Sequence, residues 1–211
     1  MFKEIECLGH STIKICKNDK VIYIDPYNLK EVENDADYIF ITHAHYDHFS
    51  EEDIKKIKNE NTIIIITEDL YEKTLNLQFA DNYIIRVIPN ENYNINGISF
   101  FTVPAYNNNK KFHPKDNNWV GYILDIDNAK YYIAGDTDLT EDNKKVKCDV
   151  AFVPVGGTYT MDAREAAELV NEIKPKKAIP IHYGTIVGSR EDAENFKMLL
   201  NKSIECEILI K

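Results

Sequence analysis

Residues 38–53 read YIFITHAHYDHFSEED, and the order of residue types in this stretch decides the fold. Tyr38-Ile39-Phe40-Ile41 is a short aromatic and β-branched run, the mark of a buried strand. Four metal-ligand side chains then fall within six positions: His43, His45, Asp47 and His48. Ser50 follows, with acids at 51, 52 and 53, which is how a capped helix begins. In extended backbone alternate side chains share a face, so His43 and His45 can grip one ion together. The turn into the helix directs Asp47 and His48 toward a second position. A polar loop that merely happens to be histidine-rich is the competing reading. Three of the chain's six histidines crowded into six positions argue against it.

Outward from this stretch, the chain alternates in a recognisable order. Three short strands are predicted over 2–7, 11–16 and 20–25, with turns at Gly9-His10-Ser11 and Asn18-Asp19. Pro26 ends the third and leaves Asp25 at a strand end. Residues 62–67 are β-branched throughout and read as an interior strand. A helix over 70–77 and a strand over 83–88 follow. Residues 90–94, 98–103, 119–126 and 130–134 form a meander, with hairpin turns at Asn96-Gly97 and Asp127-Asn128. The remainder reads as strand 150–155, helix 162–173, strand 178–181, helix 190–200 and strand 206–210. The apolar stripe of the first of these helices is Ala166, Leu169, Val170 and Ile173. No linker or low-complexity segment divides the chain, so residues 1–211 are expected to form one domain. The predicted class is α/β: two packed mixed sheets with helices on the outer faces, an αββα sandwich.

Bulk properties narrow the function. A chain of 211 residues, 44% hydrophobic and 28% charged, is an ordinary globular protein. It has no apolar run of about 18 residues, and its N-terminal MFKEIECLGHS lacks the apolar core of a secretory signal. A cytoplasmic protein without a membrane partner is the expectation. A net charge of −10 argues against nucleic acid as a partner, which needs a basic face. Cys7, Cys16, Cys148 and Cys206 lack CxxC spacing and read as buried free thiols rather than disulfides or metal ligands.

Three more segments end a strand with a potential ligand. KYYIAGDTD (130–138) carries Asp136, AIPIHYG (178–184) carries His182, and TVPAYNNNKKFHP (102–114) carries Asn107 and His113. Loops at strand ends on a rigid sheet are a common place for a site. Asp25 is expected to hydrogen-bond a ligand histidine from behind. His10 reads either as a pocket residue or as a turn histidine, in no metal-holding slot. Asp138 is expected to cap its own turn. Gly156-Gly157-Thr158 reads as a tight turn rather than an anion cradle, because it lacks the lysine and spacing of a P-loop.

HxHxDH with a later GDT and IPIH resembles the metallo-β-lactamase superfamily of metal-dependent hydrolases. GHST near the start, the strand ending IDP, and AGDTD are most similar to the branch that includes L-ascorbate-6-phosphate lactonase and N-acylphosphatidylethanolamine phospholipase D. The resemblance covers essentially the whole chain and implies the αββα sandwich. It also implies two divalent ions, zinc first and manganese or iron as alternatives. His43 and His45 would hold one ion, Asp47, His48 and His182 the other, and Asp136 would bridge them. It gives the two carboxylates, Asp47 and Asp136, a catalytic as well as a ligating role. Relatives carry a further histidine as PAxH, where this chain has Pro104-Ala105-Tyr106-Asn107; His113 is the expected substitute, against the alternatives that Asn107 completes the site or that His113 is a surface-loop histidine. An open position on such ions lets them activate water. The implied function is hydrolysis of a small-molecule ester, lactone or phosphodiester. An RNA phosphodiesterase and a non-catalytic metal-binding module are the alternatives. Self-association into a homo-oligomer stays open.

Overall fold

The computed structural model describes residues 4–210. Residues 2 and 3 of the first predicted strand lie outside the described residues. The chain divides into two compact units, Met1–Ile88 and Pro89–Lys211, each built on one mixed sheet.

In the first unit, six strands lie side by side in chain order: β1 (Ile5–Gly9), β2 (Thr12–Lys17), β3 (Lys20–Ile24), β4 (Tyr38–Phe40), β5 (Ile63–Thr67) and β6 (Ile84–Val87). The first three pair antiparallel, and from β3 onward the pairing is parallel. The change follows from the connections. Asn18-Asp19, both at positive φ (53° and 56°), closes a two-residue hairpin between β2 and β3. Parallel neighbours instead need crossovers: the irregular segment 25–37 makes the one from β3 to β4, and α1 (Glu51–Ile57) and α2 (Tyr71–Asn76) make the next two.

Ser50 caps α1 by accepting the Asp53 N–H, and Ile54 and Ile57 on its inner face join a cluster with Ile39, Ile41, Ile64 and Ile66. All five residues of β5 are buried, as its β-branched run predicts. Helix α2 is shorter than the predicted 70–77. Residues 68–70 form a 3-10 turn, and Gln78 just beyond the helix takes positive φ, 62°.

The second unit repeats the plan. Its strands are β7 (Asn92–Ile95), β8 (Ile98–Pro104), β9 (Val120–Ile126), β10 (Ala129–Ile133), β11 (Val150–Pro154), β12 (Lys177–Ile181) and β13 (Glu205–Cys206), again adjacent in sequence order. β7 to β10 pair antiparallel, and β10 to β13 parallel. Asn96-Gly97 and Asp127-Asn128 turn at positive φ as the hairpin reading requires. Helix α3 (Ala163–Ile173) opens with a capping box, Asp162 to Glu165, and buries Ala166, Leu169, Val170 and Ile173. Helix α4 (Arg190–Leu199) precedes β13.

The last strand is two residues long instead of 206–210. Glu207 N–H still reaches the Ala178 carbonyl, but the next rung would need an N–H from Pro180 in β12, which proline lacks. The four cysteines are free, as expected, but half-buried rather than buried. Burial still pushes the Cys148 thiol up to about 12 and Cys206 up to about 11, so neither is a ready thiolate.

Candidate metal centre

In the first unit the ligand-rich loop leaves the carboxyl end of β4, beside the end of its parallel neighbour β3. That adjacency lets Asp25 reach the loop. Its Oδ1 accepts the Thr42 N–H at 2.8 Å, and its Oδ2 accepts the Thr42 hydroxyl at 2.7 Å. Oδ2 also lies 2.7 Å from His48 Nδ1. Asp25 is 1% exposed and takes φ +46°, a conformation a short polar side chain tolerates. The carboxylate accepts the Nδ1 proton, so His48 presents Nε2 as its lone-pair nitrogen.

The same logic assigns His43. The single Thr42 hydroxyl proton goes to Asp25, so Thr42 Oγ1 accepts at 3.0 Å from His43 Nδ1, and the lone pair is on Nε2. His43 Nε2 and His45 Nδ1 then converge to 3.0 Å, the shared face that their spacing predicts. Asp47 turns the other way. Its Oδ2 lies 3.0 Å from His10 Nε2 and 3.6 Å from His48 Nε2. His10 is thus a buried member of the site, 1% exposed and held at φ +47° after Gly9. Sequence alone does not choose between pocket and turn for this residue; its one signal is a lone histidine in the turn of GHST.

In the second unit, Asp136 follows β10 and His182 follows β12. His182 Nε2 and His113 Nε2 approach the same carboxylate oxygen, Asp136 Oδ2, at 3.1 and 3.2 Å. All three residues are buried. Asn107 does not point its amide at Asp136. Its Nδ2 donates to Asp138 Oδ1 at 3.0 Å and to the Tyr159 carbonyl at 2.9 Å. Its Oδ1, so oriented, accepts from His113 N–H and from His113 Nδ1, both at 3.1 Å. Asn107 therefore does for His113 what Asp25 does for His48: it takes the Nδ1 proton and leaves Nε2 to face the carboxylate. Trp119 is buried with its ring against His113, centroids 5.6 Å apart.

Two sequence expectations meet the geometry here. Asp138 is not a cap of its own turn. Its carboxylate is 4% exposed and accepts from the 107–110 loop, because that loop returns over it. Gly156-Gly157-Thr158 is a tight turn, with the Gly157 and Thr158 N–H groups donating to the Met161 and Gly156 carbonyls. Gly156 has no alternative, since a Cβ there would collide with the His182 carbonyl oxygen.

The donors are imidazole nitrogens and carboxylate oxygens, with no thiolate, a set that suits zinc, manganese or iron. Buried imidazoles whose Nδ1 protons are committed to acceptors offer Nε2 lone pairs, and that is what a divalent ion takes. The residues fit a metal centre. Among the described residues no helix is long and apolar enough to cross a membrane.

A family model described as a beta-lactamase superfamily domain matches residues 4–182. A UPF0173 metal-dependent hydrolase of Thermococcus kodakarensis is 32% identical, covering 98% of this chain and 96% of that protein. Its counterpart in Thermococcus onnurineus is 30% identical over the same shares. A solved structure from Parabacteroides distasonis superposes with a TM-score of 0.81, at 29% identity over 98% of this chain and 93% of that one. Two mixed sheets, parallel strands ending in buried histidines and carboxylates, and these matches agree: the chain belongs to the metallo-β-lactamase superfamily, with the fold of that superfamily, and is a metal-dependent hydrolase of the UPF0173 family.

Proposed function

We propose that the protein hydrolyses a small-molecule ester, lactone or phosphodiester at a centre of two divalent ions, zinc in the first instance. The observation that carries this reading is the matched pair of oriented imidazoles, His48 on Asp25 and His113 on Asn107. Outer partners of this kind fix ligand tautomers and raise ligand basicity. In the proposal His43, His45 and His113 hold one ion, and Asp47, His48 and His182 the other, with Asp136 common to both. Bound there, the ions would lower the pKa of a water and polarise the carbonyl or phosphoryl oxygen it attacks. Asp25, Asn107 and Thr42 hold the imidazoles in register. In the same reading Asp47, with His10 Nε2 3.0 Å from its Oδ2, would take up the water's proton.

Resemblance of GHST, IDP and AGDTD to the L-ascorbate-6-phosphate lactonase and N-acylphosphatidylethanolamine phospholipase D branch is what favours an ester, lactone or phosphodiester. The net charge of −10 sets a polyanionic RNA substrate second. A non-catalytic module draws its motive from the missing PAxH histidine; His113 Nε2, 3.2 Å from Asp136 Oδ2, supports the hydrolase reading over it.

Elemental analysis of purified protein after zinc loading, followed by a screen of lactone, carboxylic ester and phosphodiester substrates, tests the reading. The expected result is about two ions per chain and turnover on one of these classes that a chelator abolishes. One ion per chain, or turnover confined to RNA, would overturn it.

A further inference from the structure

We propose that Asp138 and Lys110 form a latch that sets the position of His113, an inference that rests on the reading of His113 as a metal ligand. After β8 ends at Pro104, residues 105–114 carry no strand or helix. An irregular loop of this length loses backbone entropy at every residue when it is ordered. A ligand at its far end is useful only if something outside the loop fixes it.

Asp138 is that anchor. Its Oδ2 accepts the Asn108 N–H at 2.9 Å, and its Oδ1 accepts from Asn107 Nδ2 at 3.0 Å and from Lys110 Nζ at 2.5 Å. Three loop residues thus converge on one buried carboxylate. A buried carboxylate needs a counter-charge, and Lys110 supplies it, while a second Nζ proton goes to the Thr160 carbonyl at 3.0 Å.

The chain of contacts continues to the ligand. Asp138 turns the Asn107 amide, and the amide oxygen holds both His113 N–H and Nδ1. Asn107 N–H closes the loop on the His113 carbonyl at 2.8 Å. Neither Asp138 nor Lys110 is placed to touch an ion or a substrate in this scheme. Both are positioning residues, and together they let a histidine six residues late stand where Asn107 leaves no imidazole.

The test compares His113→Ala, Asp138→Asn, Lys110→Met and Lys110→Arg in the full chain. Cobalt(II) is titrated into metal-free protein with a competing chelator, and the absorption of bound cobalt is followed. Lys110 is partly exposed, so Lys110→Met keeps the experiment meaningful if Asp138→Asn fails to fold. The expected result is that Lys110→Met and Asp138→Asn weaken one cobalt equivalent about 10–100-fold. The other equivalent keeps its affinity and spectrum, and Lys110→Arg restores most of the loss. His113→Ala should lose the same equivalent. If His113→Ala binds two equivalents as wild type does, the ligand reading fails. If His113→Ala loses one while Lys110→Met and Asp138→Asn lose none, the latch alone is refuted. Equal weakening of both equivalents by Lys110→Met also refutes it, since that marks a general structural role.

Discussion

Replacing Asp25 by asparagine isolates the carboxylate that organises the first unit's ligand loop. The backbone there sits at φ +46°, which asparagine tolerates as well as aspartate does, so strain does not confound the result. Asparagine can keep Oδ1 on the Thr42 N–H. At the Oδ2 position, however, it presents an NH2 to the Thr42 hydroxyl and to His48 Nδ1, both within 2.7 Å of that oxygen in the native protein. Two donors then face a donor. A buried hydrogen bond lost with its partner left unsatisfied costs about 1–3 kcal/mol. The His48 ring can relieve the conflict by taking the other tautomer, which moves its proton to Nε2, the nitrogen that would bind metal.

The expected outcome for Asp25→Asn is a stability loss of about 1–3 kcal/mol in urea unfolding of metal-free protein. In addition, zinc should bind one position about 10–100-fold more weakly in chelator competition. That factor corresponds to about 1.4–2.7 kcal/mol. Wild-type affinity together with wild-type stability would refute the account. A stability loss with unchanged affinity would show that Asp25 supports the loop but does not set the His48 tautomer.

Gly156→Ala should destabilise the protein by about 1–3 kcal/mol in thermal or urea unfolding, because the new methyl meets the His182 carbonyl on rigid backbone. Metal binding should suffer with it, and an unchanged midpoint would contradict the steric argument. Asp53 governs acid stability near α1. Burial opposes its ionisation, but hydrogen bonds from Ser50 Oγ, Lys56 Nζ and the N–H groups of Asn28 and Leu29 outweigh burial and hold its pKa below the usual value. Its contribution is therefore complete above the unfolded value near 3.9 and is lost as pH falls through the depressed folded value. Asp53→Asn should be less stable than wild type at pH 6 and converge toward it as pH falls through the depressed folded value; a pH-independent gap would count against this assignment. We propose, finally, that the two compact units fold as one domain. Fluorescence of Trp119, the chain's one tryptophan, and far-UV circular dichroism should then give coincident urea transitions, and separate midpoints would mean two folding units.

Most of the fold was legible because its signals are local. Paired Asn and Asp residues at 18–19 and 127–128, and Asn96-Gly97, state a hairpin in two positions, and all three turn at positive φ. The Ser50 and Asp162 caps stand directly before helices whose apolar spacing repeats within a few residues. The last strand is shorter than its composition predicts, for a non-local reason. Residues 206–210 have a strand's composition, but their ladder depends on a partner 27 or so positions away, where Pro180 withholds an N–H.

The site divides along the same line. His43, His45, Asp47 and His48 lie within six residues, and Asp136 and His182 each follow a strand, so a reader of the sequence meets them as a pattern. What holds them does not come as a pattern. Asp25 acts on His48 across 23 residues, His10 on Asp47 across 37, and Asp138 on Asn107 across 31. Each of these contacts depends on which strand ends become neighbours, as when parallel pairing of β3 with β4 sets Asp25 beside Thr42. Asp138 shows the consequence most sharply. By local rules an aspartate two residues after Asp136 caps a turn, and its actual work follows only once the 107–113 loop has folded back over it. A side chain that binds a ligand announces itself by its chemistry; one that aims another side chain is identified by the company the fold gives it.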